Sequence, residues 1–169
     1  LFDLAYTEVE KGKQIHIIGG VKHLFDSIKD AYYLYIGDKS KIKSEYLKTF
    51  KNYVTFKETV TRVKMSEYKF LINLLERYGD GILSCIEKME ANIVGKRKAD
   101  ISFVSAHKSK GLQFLYVKLA NDFVDLYDKN GVEIPEELVD AEELNLLYVA
   151  ITRAMEKLEL NNNLKKLVL

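Results

Sequence analysis

Two stretches of this sequence carry side chains suited to phosphate chemistry. The first runs from Val104 to Phe114 and reads V-S-A-H-K-S-K-G-L-Q-F. It places a hydroxyl (Ser105), an imidazole (His107), two lysines (Lys108 and Lys110), a glycine (Gly111) and an amide (Gln113) just past an apolar segment. In open α/β sheets, ligands sit beyond the carboxyl ends of strands. Glycine there lets a backbone approach a phosphate closely, and lysine and hydroxyl groups are common phosphate contacts. A plain polar loop has the same composition, so phosphate or nucleic-acid binding and a solvated loop both stay open. The second stretch, Glu142 to Ala154, reads E-E-L-N-L-L-Y-V-A-I-T-R-A. Its Arg153 stands near the C-terminal end of an otherwise apolar helix. A guanidinium is planar, permanently charged and forked, which matches a phosphoryl group in transfer. The alternative is a cation that complements the helix dipole.

Other reactive groups are scattered. His16 and His23 flank the first turn and His107 stands far away, without the close spacing of metal ligands; no metal site is expected. The one cysteine, Cys85, reads as a small buried hydrophobe and suits a reducing, intracellular setting. Tyr32, Tyr33, Tyr35, Tyr46, Tyr53 and Tyr68 could stack on bases, although packing is the commoner use. No G-x-x-x-x-G-K-[ST] occurs, and Gly95-Lys96 has Glu90 where the first glycine of such a loop would stand. Without that loop and a magnesium-binding acid, phosphoryl transfer lacks its cradle.

The totals set bounds. At 169 residues, 47% hydrophobic and 30% charged, the chain reads as one globular domain with room for a subdomain, not as a disordered segment. No apolar run approaches the ~20 residues needed to span a bilayer, and no membrane partner is expected. The chain opens at Leu1 without a basic-then-apolar leader and reads as a piece of a longer protein. The net charge of +1 hides an uneven distribution: residues 39–98 hold 14 Lys+Arg against 7 Asp+Glu, and residues 101–169 hold 8 against 11. A basic middle suits a polyanion, and solvated helix surfaces suit it equally.

These groups need a scaffold. Gln14–Ile18 is short and β-branched, and Gly19-Gly20 stops it, as in a strand entering a turn. Leu24, Phe25, Ile28, Ala31, Tyr32 and Tyr35 predict a helix over 21–36. Residues 41–98 read as irregular helices. Ser66 is the expected N-cap of one that runs to Tyr78, a second spans Gly81–Ile93, and a basic loop, 95–98, follows. Strands are predicted at Ile101–Ser105, Phe114–Leu119 and Lys157–Leu160, with a turn of helix at Ser109–Leu112. An acidic surface loop is expected over 121–140. A helix is expected over Ala141–Met155, burying Leu144, Leu147, Tyr148 and Ile151 as one stripe. Strand-helix alternation points to an α/β fold with an open parallel sheet. The helical stretch interrupts it as an insertion.

Together the two stretches resemble a known family. S-A-H-K-S-K-G-L-Q-F is similar to motif V of the UvrD/Rep/PcrA group of superfamily 1 DNA helicases, usually T-x-H-x-x-K-G-L-E-F. E-E-L-N-L-L-Y-V-A-I-T-R-A is similar to motif VI, usually E-E-x-R-L-x-Y-V-A-x-T-R-A. N-L-L-Y-V-A-I-T-R-A, the short insertion and Asn121-Asp122-Phe123-Val124 resemble the F-box DNA helicases. The resemblance implies a second RecA-like motor domain over 1–38 and 99–169, its parallel sheet flanked by helices. Residues 39–98 form a short inserted subdomain. It implies that Arg153 reaches the γ-phosphate of ATP bound by the other, N-terminal motor domain. Gly111 and Gln113 lie on the nucleotide side, with Gln113 in place of the usual Glu. Ser105 and His107 face single-stranded DNA, and Lys110 lies between the two surfaces. Asn145 replaces a common Arg, and Glu142 and Glu143 match acids of the motif. ATP and Mg2+ would be cofactors of the intact enzyme, and the fragment alone would bind neither stably nor hydrolyse ATP. DNA repair or recombination would be its setting. The substitutions at Gln113 and Asn145 keep a second possibility open, a non-catalytic module that binds nucleic acid or a partner.

Overall fold

The computed structural model describes residues 1–128 and 130–165, apart from the side chains of residues 66, 136 and 163. The chain divides into two compact units, Leu1–Phe103 and Val104–Leu169.

The first unit is mostly helical. It opens with α1 (Phe2–Glu10), whose Phe2, Ala5 and Val9 are buried. The short strand β1 (Ile15–Ile17) follows and ends at Gly19 and Gly20, both with positive φ. Helix α2 (Lys22–Tyr35) buries Phe25, Ile28, Ala31 and Leu34, the face its apolar spacing predicts. The stretch expected to be irregular helix resolves into α3 (Glu45–Lys48), α4 (Tyr53–Val63), α5 (Ser66–Tyr78) and α6 (Ile82–Asn92). Met65, not Ser66, occupies the N-cap position of α5; Ser66 is already helical. Asn52 caps α4 with a reciprocal bond pair to Thr55. Strand β2 (Ile101–Phe103) runs parallel to β1, with His16 opposite Ser102.

One apolar cluster holds this unit together. Phe56, Leu47, Leu75, Ile82, Ile86 and Met89 share it with Phe2, Ile15, Ile28 and Leu34. Burial of such side chains stabilises by about 1.5–3 kcal/mol each. Residues from both 1–38 and 39–98 contribute to this cluster. Asp30 is a buried acid of the unit, 5% exposed. Its carboxylate accepts the backbone N–H groups of Lys43 at 2.9 Å and Ser44 at 2.7 Å, fixing the chain's entry to α3.

The second unit is α/β. Its elements are α7 (Ala106–Ser109), β3 (Phe114–Lys118), α8 (Ala141–Ile151), β4 (Ala154–Glu159) and α9 (Asn162–Lys165). β3 and β4 pair in parallel, with an irregular register between Phe114 and Tyr116. Leu119, Leu147, Ala150 and Leu164 form its small core, with Val117, Phe123, Ile151 and Leu158 against them. The loop between β3 and α8 carries a short 3-10 turn (Glu136–Leu138) and a bridge between Tyr127 and Glu133.

The expected α/β class with parallel strands is therefore present, but the sheet is smaller than an open sheet. Among the described residues each unit holds one two-stranded parallel pair. Helix α8 stops at Ile151, not at Met155, and β4 begins at Ala154, earlier than Lys157. The predicted buried stripe of α8 also changes. Leu147 and Ala150 are buried, whereas Tyr148 is 67% exposed. The single helical turn after β2 covers Ala106–Ser109, ahead of the expected Ser109–Leu112. Among the described residues no helix is long and apolar enough to cross a membrane.

Candidate functional site

The second unit positions the candidate residues on three local devices. The first is α7. Ser105 stands at its N-cap and its hydroxyl oxygen accepts the N–H of Lys108 at 3.4 Å. Ser109 is buried and donates its hydroxyl to the Ala106 carbonyl at 2.7 Å, closing the turn. His107, within the turn, and Lys110, at its C-cap, are exposed. α7 packs against α8.

The second device is the turn after α7. Gly111 has φ +82°, a left-handed conformation that L side chains adopt at a cost of roughly 1–2 kcal/mol. A Cβ there would meet nothing within 4 Å, so the requirement for glycine is conformational rather than steric. Gln113 follows, exposed, and the chain enters β3.

The third device is the end of α8. Asp140 caps the start of the helix, accepting the N–H groups of Glu142 at 2.8 Å and Glu143 at 3.4 Å. Glu142 and Glu143 lie in its first turn, where carboxylates suit the positive end of the helix dipole. They stand three turns from Arg153, roughly 15 Å along the axis at 1.5 Å per residue. At the other end, Thr152 occupies the C-cap and Arg153 follows.

Arg153 is half-buried and densely bonded. Its Nε donates to the Val149 carbonyl at 2.9 Å, satisfying one of the carbonyls a helix end leaves without a partner. Its Nη1 donates to the Leu112 carbonyl at 3.2 Å, and its Nη2 donates to the Thr152 hydroxyl oxygen at 2.9 Å. Its own carbonyl accepts the N–H of Phe114 at 2.9 Å. A guanidinium has five N–H groups. These bonds use three, leaving one on each terminal nitrogen. Charge-assisted bonds from such N–H groups to an oxyanion are among the stronger hydrogen bonds.

The structure thus brings Arg153 together with the Lys110-Gly111-Leu112 turn, through the Leu112 carbonyl. Among the described residues no hydrogen bond joins Arg153 to the side chains of Ser105, His107, Lys110 or Gln113. Ser105 has a local capping role besides any other. Asn145 is exposed on α8. The stacking candidates Tyr32, Tyr33, Tyr35, Tyr46, Tyr53 and Tyr68 belong to the first unit. Tyr35 and Tyr53 meet edge to face at 5.1 Å, and Tyr46 and Tyr68 lie 5.3 Å apart. His16 Nδ1 lies 3.0 Å from the Val94 carbonyl, a structural bond. Among the described residues no group of three or more His, Cys, Asp or Glu side chains converges as a metal site.

Sequence reasoning gave no role to Thr152, Asp140 or the Leu112 carbonyl. An Asp directly before an Ala-Glu-Glu run is a visible cap signal. A backbone carbonyl acting as acceptor leaves no trace in residue types.

Comparison with known proteins agrees with the two motifs. The sequence model for the UvrD-like helicase C-terminal domain matches residues 5–164. F-box DNA helicase 1 of Gallus gallus is 30% identical over 175 residues, covering 94% of this chain and 17% of that protein. F-box DNA helicase protein 1 of Schizosaccharomyces pombe is 36% identical over 96 residues, covering 54% of this chain and 11% of its own length. The chain thus spans less than a fifth of these relatives. No solved structure matches it. The chain belongs to the UvrD-like helicase C-terminal domain family.

Proposed function

We propose that this chain is the second, RecA-like motor domain of an ATP-dependent DNA helicase. Residues 1–38 and 99–169 would form the motor fold, and 39–98 its insertion. The observation that carries the reading is the bond between Arg153 and the Leu112 carbonyl, which sets the guanidinium beside the Lys110-Gly111-Leu112 turn.

In the intact protein, ATP and Mg2+ would be held by an N-terminal motor domain, with Mg2+ neutralising phosphate charge. Arg153 would present its two remaining N–H groups to the γ-phosphate as charge builds there. Gly111 and Gln113 would line the nucleotide side. Gln113 keeps hydrogen-bonding capacity without the charge of a Glu. Ser105, His107 and Lys110 would form part of a single-stranded DNA track. Closure and opening of the two motor domains would then advance the strand, in an intracellular setting of DNA repair or recombination. The fragment alone lacks the phosphate cradle and would not turn over ATP.

A second reading rests on the same arginine. Three of its five N–H groups serve α8 and the adjoining turn, which a purely structural arginine would also do. On that reading the chain is a non-catalytic module that binds nucleic acid or a partner. ATP turnover by the full-length protein separates the two. Single-stranded DNA stimulating hydrolysis supports the motor. A full-length protein that binds DNA and hydrolyses no ATP supports the module.

A further inference from the structure

The side chain before the arginine has a role that the motif alone does not assign. Thr152 Oγ1 accepts a bond from Arg153 Nη2 at 2.9 Å. It also lies 3.0 Å from both the Tyr148 and Val149 carbonyls. A hydroxyl has one proton. Directed at those helix carbonyls, that proton leaves an oxygen lone pair facing Nη2. The helix end therefore sets the polarity of the hydroxyl, and the hydroxyl fixes one blade of the guanidinium fork. Nε is fixed to Val149 and Nη1 to Leu112. Only the Nη2 restraint comes from a side chain, so it is the one that a substitution can remove cleanly.

We infer that Thr152 is a positioning residue for ATP hydrolysis. It holds the Arg153 guanidinium in the plane from which its free edge meets the γ-phosphate. The inference rests on the proposed role of Arg153. Its chemistry is specific, because a hydroxyl can accept from Nη2 while donating to the helix. A methyl in the same place cannot.

The test uses the full-length protein with saturating single-stranded DNA. Thr152→Val keeps the shape and removes the acceptor. Expected is a fall in kcat for ATP of about 10- to 100-fold, the range carried by one hydrogen bond to a charged group. KM for ATP should stay within about twofold, since the loss falls on the transition state. Thr152→Ser should restore most of the lost turnover. Should Thr152→Val not fold, as judged by circular dichroism, Thr152→Ala removes the same acceptor. Wild-type kcat in the folded Val or Ala variant overturns the inference. So does a rise in KM at constant kcat, or a Ser variant as impaired as Val. Arg153→Ala, measured beside them, separates the two claims. If it retains turnover, the arginine's role fails. If it loses turnover while Thr152→Val does not, only the role of Thr152 fails.

Discussion

Arg153 Nη1 and the Leu112 carbonyl oxygen lie 3.2 Å apart across 41 residues of sequence. The bond ties the end of α8 to the turn between α7 and β3. It holds the guanidinium beside the glycine turn. A residue placed to complement a helix dipole needs only the Val149 contact. The second attachment makes one unit of the two motifs, and movement of the turn must be felt at the arginine.

The start of α8 depends on Asp140, which caps two backbone N–H groups. Asp140→Ala is expected to cost about 1 kcal/mol, whereas Asp140→Asn or Ser should cost less. Urea unfolding measures this. An Ala variant as stable as the parent would remove the cap from the account of α8.

Asp30 is a larger stake. Replacing it with Ala leaves the N–H groups of Lys43 and Ser44 without their acceptor in a half-buried site. The expected loss is about 2–4 kcal/mol, from unsatisfied donors that formerly met a carboxylate. Thermal melts should show it as one of the more destabilising single changes in the first unit.

Lys64 ends α4 with φ +57°, the one positive-φ non-glycine residue among those described. Left-handed backbone costs such a residue roughly 1–2 kcal/mol. Glycine removes that strain and adds back about 0.5–1 kcal/mol of chain entropy. Lys64→Gly is therefore expected to stabilise by about 0.5–1 kcal/mol, read as a raised urea midpoint. A lowered midpoint would show that the Lys64 side chain matters more than its backbone.

Phenols with raised pKa make the first unit sensitive to alkali, Tyr6, Tyr53, Tyr68 and Tyr78 among them. Burial pushes Tyr78 up to about 12, and its bond to Asp3 adds to the effect. Burial likewise pushes Tyr53 up to about 12, with Glu76 and Tyr35 contributing. An unfolded tyrosine titrates near 10. Folding thus favours the neutral phenol. Its stabilisation is complete below about pH 10 and is lost as pH rises toward 12. Stability should fall across that window, and Tyr78→Phe should flatten the fall. A Tyr78→Phe profile parallel to the parent would contradict this.

Much of the scaffold was legible in residue patterns. The periodicity of Phe25, Ile28 and Ala31 marked α2, and Gly19-Gly20 marked the end of β1. Helix α1 was not visible. Only Phe2, Ala5 and Val9 carry its pattern, and nine isolated residues make a marginal helix without the packing of α6 against it. The end of α8 was misplaced because Thr152-Arg153-Ala154-Met155 are all tolerable in a helix. The stop comes from hydrogen bonds of Thr152 and Arg153 to helix carbonyls, and from the pairing of Ala154 with Phe114. The exposure of Tyr148 was hidden for a related reason. The unit's core is small and takes Leu147 and Ala150 from α8, leaving the neighbouring aromatic outside. Motif order singled out the arginine and the glycine turn as candidates, but their link runs through a backbone carbonyl that no side-chain pattern encodes.

The most direct measurement is ATP turnover by full-length Arg153→Ala with saturating single-stranded DNA, alongside its affinity for ATP. A guanidinium that stabilises charge on the γ-phosphate contributes about 10³–10⁵ in rate. The expected result is a loss of that order with ATP binding largely kept. Turnover within about threefold of the parent, in a folded protein that still binds DNA, would contradict the motor role of this domain's arginine.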